Sequence, residues 1–229
     1  VVPAKRHLFM VFIARAIEDF NRGYRATGIK RGSSKGMTPK RGEPRWHAAF
    51  PRAYRSLVEH LGDEASILPL FVYSIMRAES AYMASAVSHA EAVGALQMIR
   101  PTALKVAEEI GAVFDPRTFQ DPRVGFRYSV HYMQKHLRLW KGLYLLAAAS
   151  YNAGPSPVAK WVKTHQGRGL PFVVEEFKYN ETRTYARRVA EYLLRYLALY
   201  PVSNQERGEI LDALFPAEFK LRVPTDVGY

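Results

Sequence analysis

With 229 residues and 48% apolar side chains, the chain can bury a full core and suits one domain plus an extension. It has no cysteine, which excludes a disulfide framework and a thiol nucleophile, and its seven histidines show no ligand spacing, so neither a metal nor a cofactor is expected. Of the net charge of +12, residues 1–50 hold +8 (eleven Lys/Arg against three Asp/Glu) and the other 179 residues +4, and no apolar run approaches the ~20 residues of a membrane helix.

The chain opens on Val1-Val2-Pro3 rather than Met, as a trimmed or processed chain would. Lys5-Arg6 followed by the apolar stretch from His7 to Ala14 has the outline of a signal peptide. However, Phe9, Phe12, Ile13, Ala16 and Phe20 share one helical stripe, and this predicts an amphipathic helix over 7–22, ending at Asn21-Arg22-Gly23. Residues 28–45 hold four Gly, two Pro, two Ser and almost no apolar side chains, which predicts an exposed linker. Its six cations (Lys30, Arg31, Lys35, Lys40, Arg41 and Arg45) suit either a solvated linker or contact with an anionic polymer.

From Phe50 onward the pattern is helical. Pro69 suits the first turn of a helix, with Ser66 as its cap. Further helices are expected near 102–111, 122–140, 143–151, 155–164 and 182–199. The stripe Tyr185, Val189, Tyr192, Tyr196 and Leu199 sets the period of the last, and Leu143 to Ala149 reads as a buried core helix. At most a short β-hairpin fits, around 82–99. No internal repeat is present. The predicted organisation is an N-terminal helix and basic linker at 1–49, a mainly α catalytic domain at 50–200 and a C-terminal extension at 201–229.

One carboxylate stands out. Leu68, Val72, Ile75 and Glu79 follow at steps of four, three and four, so Glu79 shares a helix face with three apolar residues. Desolvation raises the pKa of such an acid and keeps it protonated for donation near neutral pH. The same spacing also suits a buried ion pair with Arg77, Arg100 or Arg183.

The surrounding residues resemble a family. Arg77-Ala78-Glu79-Ser80, Ser88, Gly94-Ala95-Leu96-Gln97 and Thr102-Ala103 are similar to the catalytic motif of soluble lytic transglycosylases. Ala149-Ser150-Tyr151-Asn152-Ala153-Gly154-Pro155 and Glu181-Thr182-Arg183-Thr184-Tyr185 resemble that family's next two motifs, in the same order. The resemblance covers roughly Phe50 to Tyr200. It implies a lysozyme-like helical fold and cleavage of the β-1,4 bond between N-acetylmuramic acid and N-acetylglucosamine in peptidoglycan. In that family one Glu protonates the bond and then takes a proton from the C6 hydroxyl, leaving a 1,6-anhydromuramic end. The departures are Ala95-Leu96 for the usual Leu-Met and Arg100-Pro101 for Pro-Gly, which alter the apolar platform beside the substrate.

The resemblance assigns Glu79 both proton transfers, with Tyr151 orienting it or stabilising charge. Ser88, Gly94, Gln97, Asn152 and Glu181 are expected on the substrate side, Gly94 as a close-approach glycine where a side chain would block the sugar or the neighbouring backbone. Structural alternatives stay open for the others: turn and helix-start polarity for Ser88 and Gln97, a helix-ending turn for Asn152, and helix N-terminal electrostatics for Glu181. Glycan strands are the expected partner, with anionic wall polymers on the basic linker, no nucleic acid, and a monomeric chain in the periplasm or cell envelope. The rival readings are a goose-type-lysozyme-like hydrolase of the same bond and a noncatalytic wall- or nucleic-acid-binding protein on the same scaffold.

Overall fold

A computed structural model describes residues 9–14, 18–29, 39–165, 167–217, 219, 221 and 223. It is helical almost throughout, as expected. Residues 9–14 are helical and are followed by α1 (Phe20–Ala26), α2 (Pro44–Ala49), α3 (Arg55–Ala65), α4 (Pro69–Glu79), α5 (Arg100–Glu109) and α6 (Pro122–Leu139). The chain continues through α7 (Tyr144–Ala153), α8 (Pro155–Thr164), α9 (Leu170–Glu175), α10 (Asn180–Leu199) and α11 (Asn204–Leu214). In place of a hairpin there are two isolated antiparallel bridges, Val87 to Val93 and Val93 to Met98. Among the described residues no helix is long and apolar enough to cross a membrane.

The described residues fall into two compact units, one within 1–130 and 193–201, the other within 131–192 and 202–229. Two of the cuts fall inside α6 and α10, and the third falls at 201/202 after α10. In the first unit α1 packs on α2 and α3 on α4. Tyr196 is fully buried, stacked 5.6 Å from Tyr73 and edge-on to Phe50 at 5.5 Å. Its hydroxyl donates to Pro51 O at 2.8 Å, and that of Tyr200 to Phe50 O at 2.7 Å. Burial pushes the Tyr73 and Tyr196 hydroxyls upward. In the second unit α7 packs on α8, and α11 returns to α7. Trp140 is fully buried and donates its indole N–H to Ser150 Oγ at 2.7 Å. Leu146, Val158, Val162 and Leu170 of the same unit are also fully buried, each such side chain contributing about 1.5–3 kcal/mol.

Four expectations need correction. The helix predicted over 7–22 is interrupted, because Glu18 is left-handed (φ 54°) and Asp19 caps a new helix by accepting Arg22 N–H at 2.8 Å. Gly23 therefore lies inside α1, packed toward Ala14, instead of ending a helix. The predicted linker is not loose at its described flanks: Ile29 is buried, α2 begins at Pro44, Arg45 Nε donates to Thr27 O at 2.7 Å and Arg41 Nε to Ala198 O at 2.8 Å. Residues 30–38, with Lys30, Arg31 and Lys35, lie outside the described residues. Ser66 does not cap α4. It is left-handed (φ 54°) and closes α3, while Leu68 precedes α4 and Pro69 stands at its start. Helices α2, α9 and α11 complete the set, α11 capped by Ser203 Oγ, which accepts Glu206 N–H at 3.1 Å.

Candidate active site

Pro69 starts α4 with its φ already set for a helix, and Leu70 through Ala78 are all buried. The apolar face read from spacing is therefore part of a helix enclosed on every side, and Val72 and Ile75 are fully buried. Glu79 is its last residue and is half-buried. The arginines that suit an ion pair sit in three different settings. Arg77 is 4% exposed; its Nη1 donates to Ala49 O and, at 3.4 Å, to Tyr82 Oη, and its guanidinium lies over the rings of Phe50 (3.9 Å) and Tyr24 (4.4 Å). Arg100 is exposed at the start of α5. Arg183 Nη1 donates to the carbonyls of Glu175 and Phe177, both at 3.2 Å.

The segment after Glu79 has no regular structure, and side chains hold it in shape. Ser80 Oγ donates to Ala95 O at 2.7 Å and accepts Met83 N–H at 3.0 Å, which ties the end of α4 to the Gly94–Gln97 loop. Ser88 Oγ accepts Ala92 N–H at 3.0 Å, and its backbone N–H donates to Ala92 O at 2.9 Å. Gly94 is buried with φ 85°, and its N–H donates to Ala86 O at 2.9 Å. A Cβ there would lie 3.9 Å from Ala84 O, so backbone conformation rather than close approach calls for glycine. Gln97 is left-handed as well (φ 49°), and its Nε2 donates to Gly94 O at 2.8 Å and Ala86 O at 3.1 Å. The structure thus joins Glu79, Ser88, Gly94 and Gln97 in one hydrogen-bonded stretch. At the altered platform, Ala95 and Leu96 are buried and border an open cleft with Phe119, Pro122 and Phe126.

The remaining three residues belong to the second unit. Tyr151 is half-buried on α7, its ring 5.6 Å from that of Tyr132. Asn152 Oδ1 accepts the Thr182 hydroxyl at 2.8 Å, which joins α7 to α10. The turn expected after Asn152 is present: Gly154 (φ 80°, ψ 157°) ends α7, and Pro155 begins α8. Glu181 is exposed in the first turn of α10, where a carboxylate suits the helix dipole.

Three further residues hold these segments within their own units. Ser80 and Thr182 stand inside the motifs quoted above, and their positions beside Glu79 and Glu181 were the available signal. Asn21 has no such signal; its Nδ2 donates to Ala81 O at 3.0 Å across 60 positions of sequence.

Known proteins resemble this chain in sequence and in fold. Residues 56–169 match the family model described as Transglycosylase SLT domain. The soluble lytic murein transglycosylase of Salmonella typhimurium is 29% identical over 147 residues, covering 62% of this chain and 23% of that protein. The chain thus spans about a quarter of the length of this curated relative. Among solved structures, the 70-kDa soluble lytic transglycosylase Slt70 of Escherichia coli superposes with a TM-score of 0.72 at 24% identity, over 82% of this chain and 29% of that one. An inactive mutant of the lytic transglycosylase Slt from Pseudomonas aeruginosa gives 0.70 at 24% identity, over 86% and 31%. These two likenesses establish the helical fold.

Proposed function

Residues 56–169 form a transglycosylase SLT domain, and from that premise we propose that the chain is a lytic transglycosylase that cleaves the β-1,4 bond between N-acetylmuramic acid and N-acetylglucosamine in peptidoglycan. The observation that carries this reading is Glu79, half-buried at the end of the enclosed helix α4 and continuous with the Ser88–Gln97 loop. Glycosidic cleavage needs an acid on the leaving oxygen and a means of quenching an oxocarbenium-like centre. Glu79 gives its proton to the glycosidic oxygen as the C1–O bond breaks. The resulting carboxylate takes the proton of the C6 hydroxyl as that oxygen bonds to C1, giving a 1,6-anhydro ring and restoring the acid without consuming water.

Tyr151 supplies a hydroxyl that orients the carboxyl or stabilises the charge that develops. Ser88, Gly94, Gln97, Asn152 and Glu181 serve the substrate side. The hydrogen bonds in the loop assign directions to two of these roles. Ser88 Oγ accepts from Ala92 and keeps its own proton to donate, while Gln97 turns its amide N–H groups inward and keeps its carbonyl oxygen as an acceptor. Glycan strands are the partner, the cell envelope is the site of action, and the basic 28–45 segment adds salt-sensitive attraction to anionic wall polymers.

Digestion of purified peptidoglycan tests the assignment. Glu79→Gln keeps the shape and removes the transferable proton, so muropeptide release should fall by about 10²-fold or more while the melting temperature stays near that of wild type. Retention of more than a tenth of the activity would remove Glu79 from its role.

A further inference from the structure

We infer that Asn21, which lies outside the matched domain, is a positioning residue for Glu79: its side-chain amide fixes the turn on which the helix bearing the acid ends. The inference rests on the transglycosylase reading, in which Glu79 handles both protons.

The exit from α4 is backbone-strained. Ser80 closes the helix by donating its N–H to Met76 O at 3.2 Å, and the next two residues, Ala81 (φ 51°) and Tyr82 (φ 72°), are both left-handed without being glycine. Residues with a Cβ adopt that conformation only where their surroundings hold them. The carbonyls at a helix C-terminus also lack partners within the helix. Asn21 meets both needs. Its Nδ2 donates to Ala81 O at 3.0 Å and lies 3.5 Å from Ser80 O, and these are the first two carbonyls after Glu79. Only a donor serves there, which suits an amide and would not suit the isosteric carboxylate.

Asn21 is itself held in place. Asp19 caps α1 two residues earlier, and Tyr24 on the same helix lies under the Arg77 guanidinium at 4.4 Å and edge-on to the Tyr82 ring at 6.5 Å. Two further contacts complete the grip: Tyr54 donates its hydroxyl to Tyr82 O at 3.1 Å, and the Tyr82 phenol lies 2.9 Å from Tyr196 Oη. On the other side, Ser80 Oγ binds Ala95 O in the loop that carries Gly94 and Gln97. The turn after the acid is thus fixed by the substrate loop on one side and by a segment that precedes the matched domain on the other. Residues 20–26 therefore belong to the catalytic apparatus, and Asn21 is their point of action.

Loss of the amide should loosen the turn and with it the aim of Glu79, while groups that bind the sugar elsewhere are unchanged. Small misplacements of a catalytic group cost up to about 10²-fold in rate, so kcat for Asn21→Ala should fall about tenfold with KM within about twofold of wild type. The test uses the full chain and a soluble glycan of defined length at 25 °C, with wild type, Asn21→Ala, Asn21→Asp, Asn21→Gln and Glu79→Gln compared. The expected order of kcat is wild type, Gln, Ala, Asp, because Gln restores an amide on a longer stem and Asp faces the carbonyls with acceptors. If Asn21→Ala does not fold, Asn21→Ser takes its place under the same criterion. An Asn21→Ala kcat within twofold of wild type, whatever its melting temperature, overturns this inference alone. A wild type that releases no muropeptides, or a Glu79→Gln variant as active as wild type, overturns the transglycosylase reading and this inference with it.

Discussion

The stretch from Ser80 to Ile99 in the first unit and the Asn152–Pro155 corner in the second both carry motif residues, yet they are built on opposite plans. The first has five left-handed residues (Ala81, Tyr82, Glu91, Gly94 and Gln97) and takes its shape from the side chains of Ser80, Ser88 and Gln97, each bonded to backbone. The second consists of two regular helices meeting at one glycine, with a side-chain bond from Thr182 to Asn152. In the first region the groups proposed for the substrate side are also the scaffold, so a substitution there alters both together. In the second, regular helices keep the shape and leave Tyr151 and Glu181 at its margin.

The largest effect that distinguishes the two regions is a response to acid. His136 lies in the second unit, 1% exposed, with its ring 4.2 Å from Tyr132, which in turn packs on Tyr151. Neither ring nitrogen has a hydrogen-bond partner among the described residues, and burial lowers the pKa to about 3, with Lys135 adding to the effect. An unfolded histidine titrates near 6.5, so as pH falls the unfolded chain takes up the proton first. The stability from a neutral His136 is complete above about pH 6.5 and is lost progressively toward pH 3, at up to about 1.4 kcal/mol per pH unit. Urea midpoints at pH 7 and pH 4 should show that loss for wild type and a clearly smaller one for His136→Leu. Equal losses would mean that His136 does not set the acid limb.

A smaller effect separates the two glycines. Gly154, at φ 80° and ψ 157°, occupies a region essentially closed to other residues, so Gly154→Ala should cost about 2–3 kcal/mol. Gly94 at φ 85° has room for a Cβ, and Gly94→Ala should cost about 1–2 kcal/mol. The comparison predicts that the two losses differ in kind. Gly94→Ala should lower kcat measured well below its melting point, because the carbonyl and N–H of Gly94 anchor Gln97 and Ala86. Gly154→Ala should lower the melting temperature more than the rate. The reverse pattern would break the distinction.

Regular structure was largely legible in the sequence. The stripe from Tyr185 to Leu199 is buried along α10, Pro69 starts α4 and Pro155 starts α8, because apolar period and proline geometry are local properties. The misreadings come from backbone turns and burial that residue type alone does not encode. Ser66 looks like a cap, yet it closes α3 because the chain turns left-handed there before Leu68. Gly23 looks like a helix end, yet it lies within α1 because Asp19 restarts the helix only four residues earlier. Ile29 lies in a stretch too polar to predict burial, yet it is 3% exposed. At the site, the motif order nominated Glu79, Ser88, Gly94, Gln97, Tyr151, Asn152 and Glu181. It could not show that Ser88 and Gln97 are tied into the loop backbone, or that Asn21 reaches the turn after Glu79, since those bonds depend on backbone N–H and carbonyl groups that carry no sequence signal.

The central claim is that one acid closes the C6 oxygen onto C1 without water, and product mass tests it most directly. Mass spectrometry of muropeptides released from purified peptidoglycan by the wild-type chain should show 1,6-anhydromuramic ends, lighter by one water than reducing ends. Predominantly hydrated, reducing muramic ends would contradict the account and place the chain among hydrolases of the same bond.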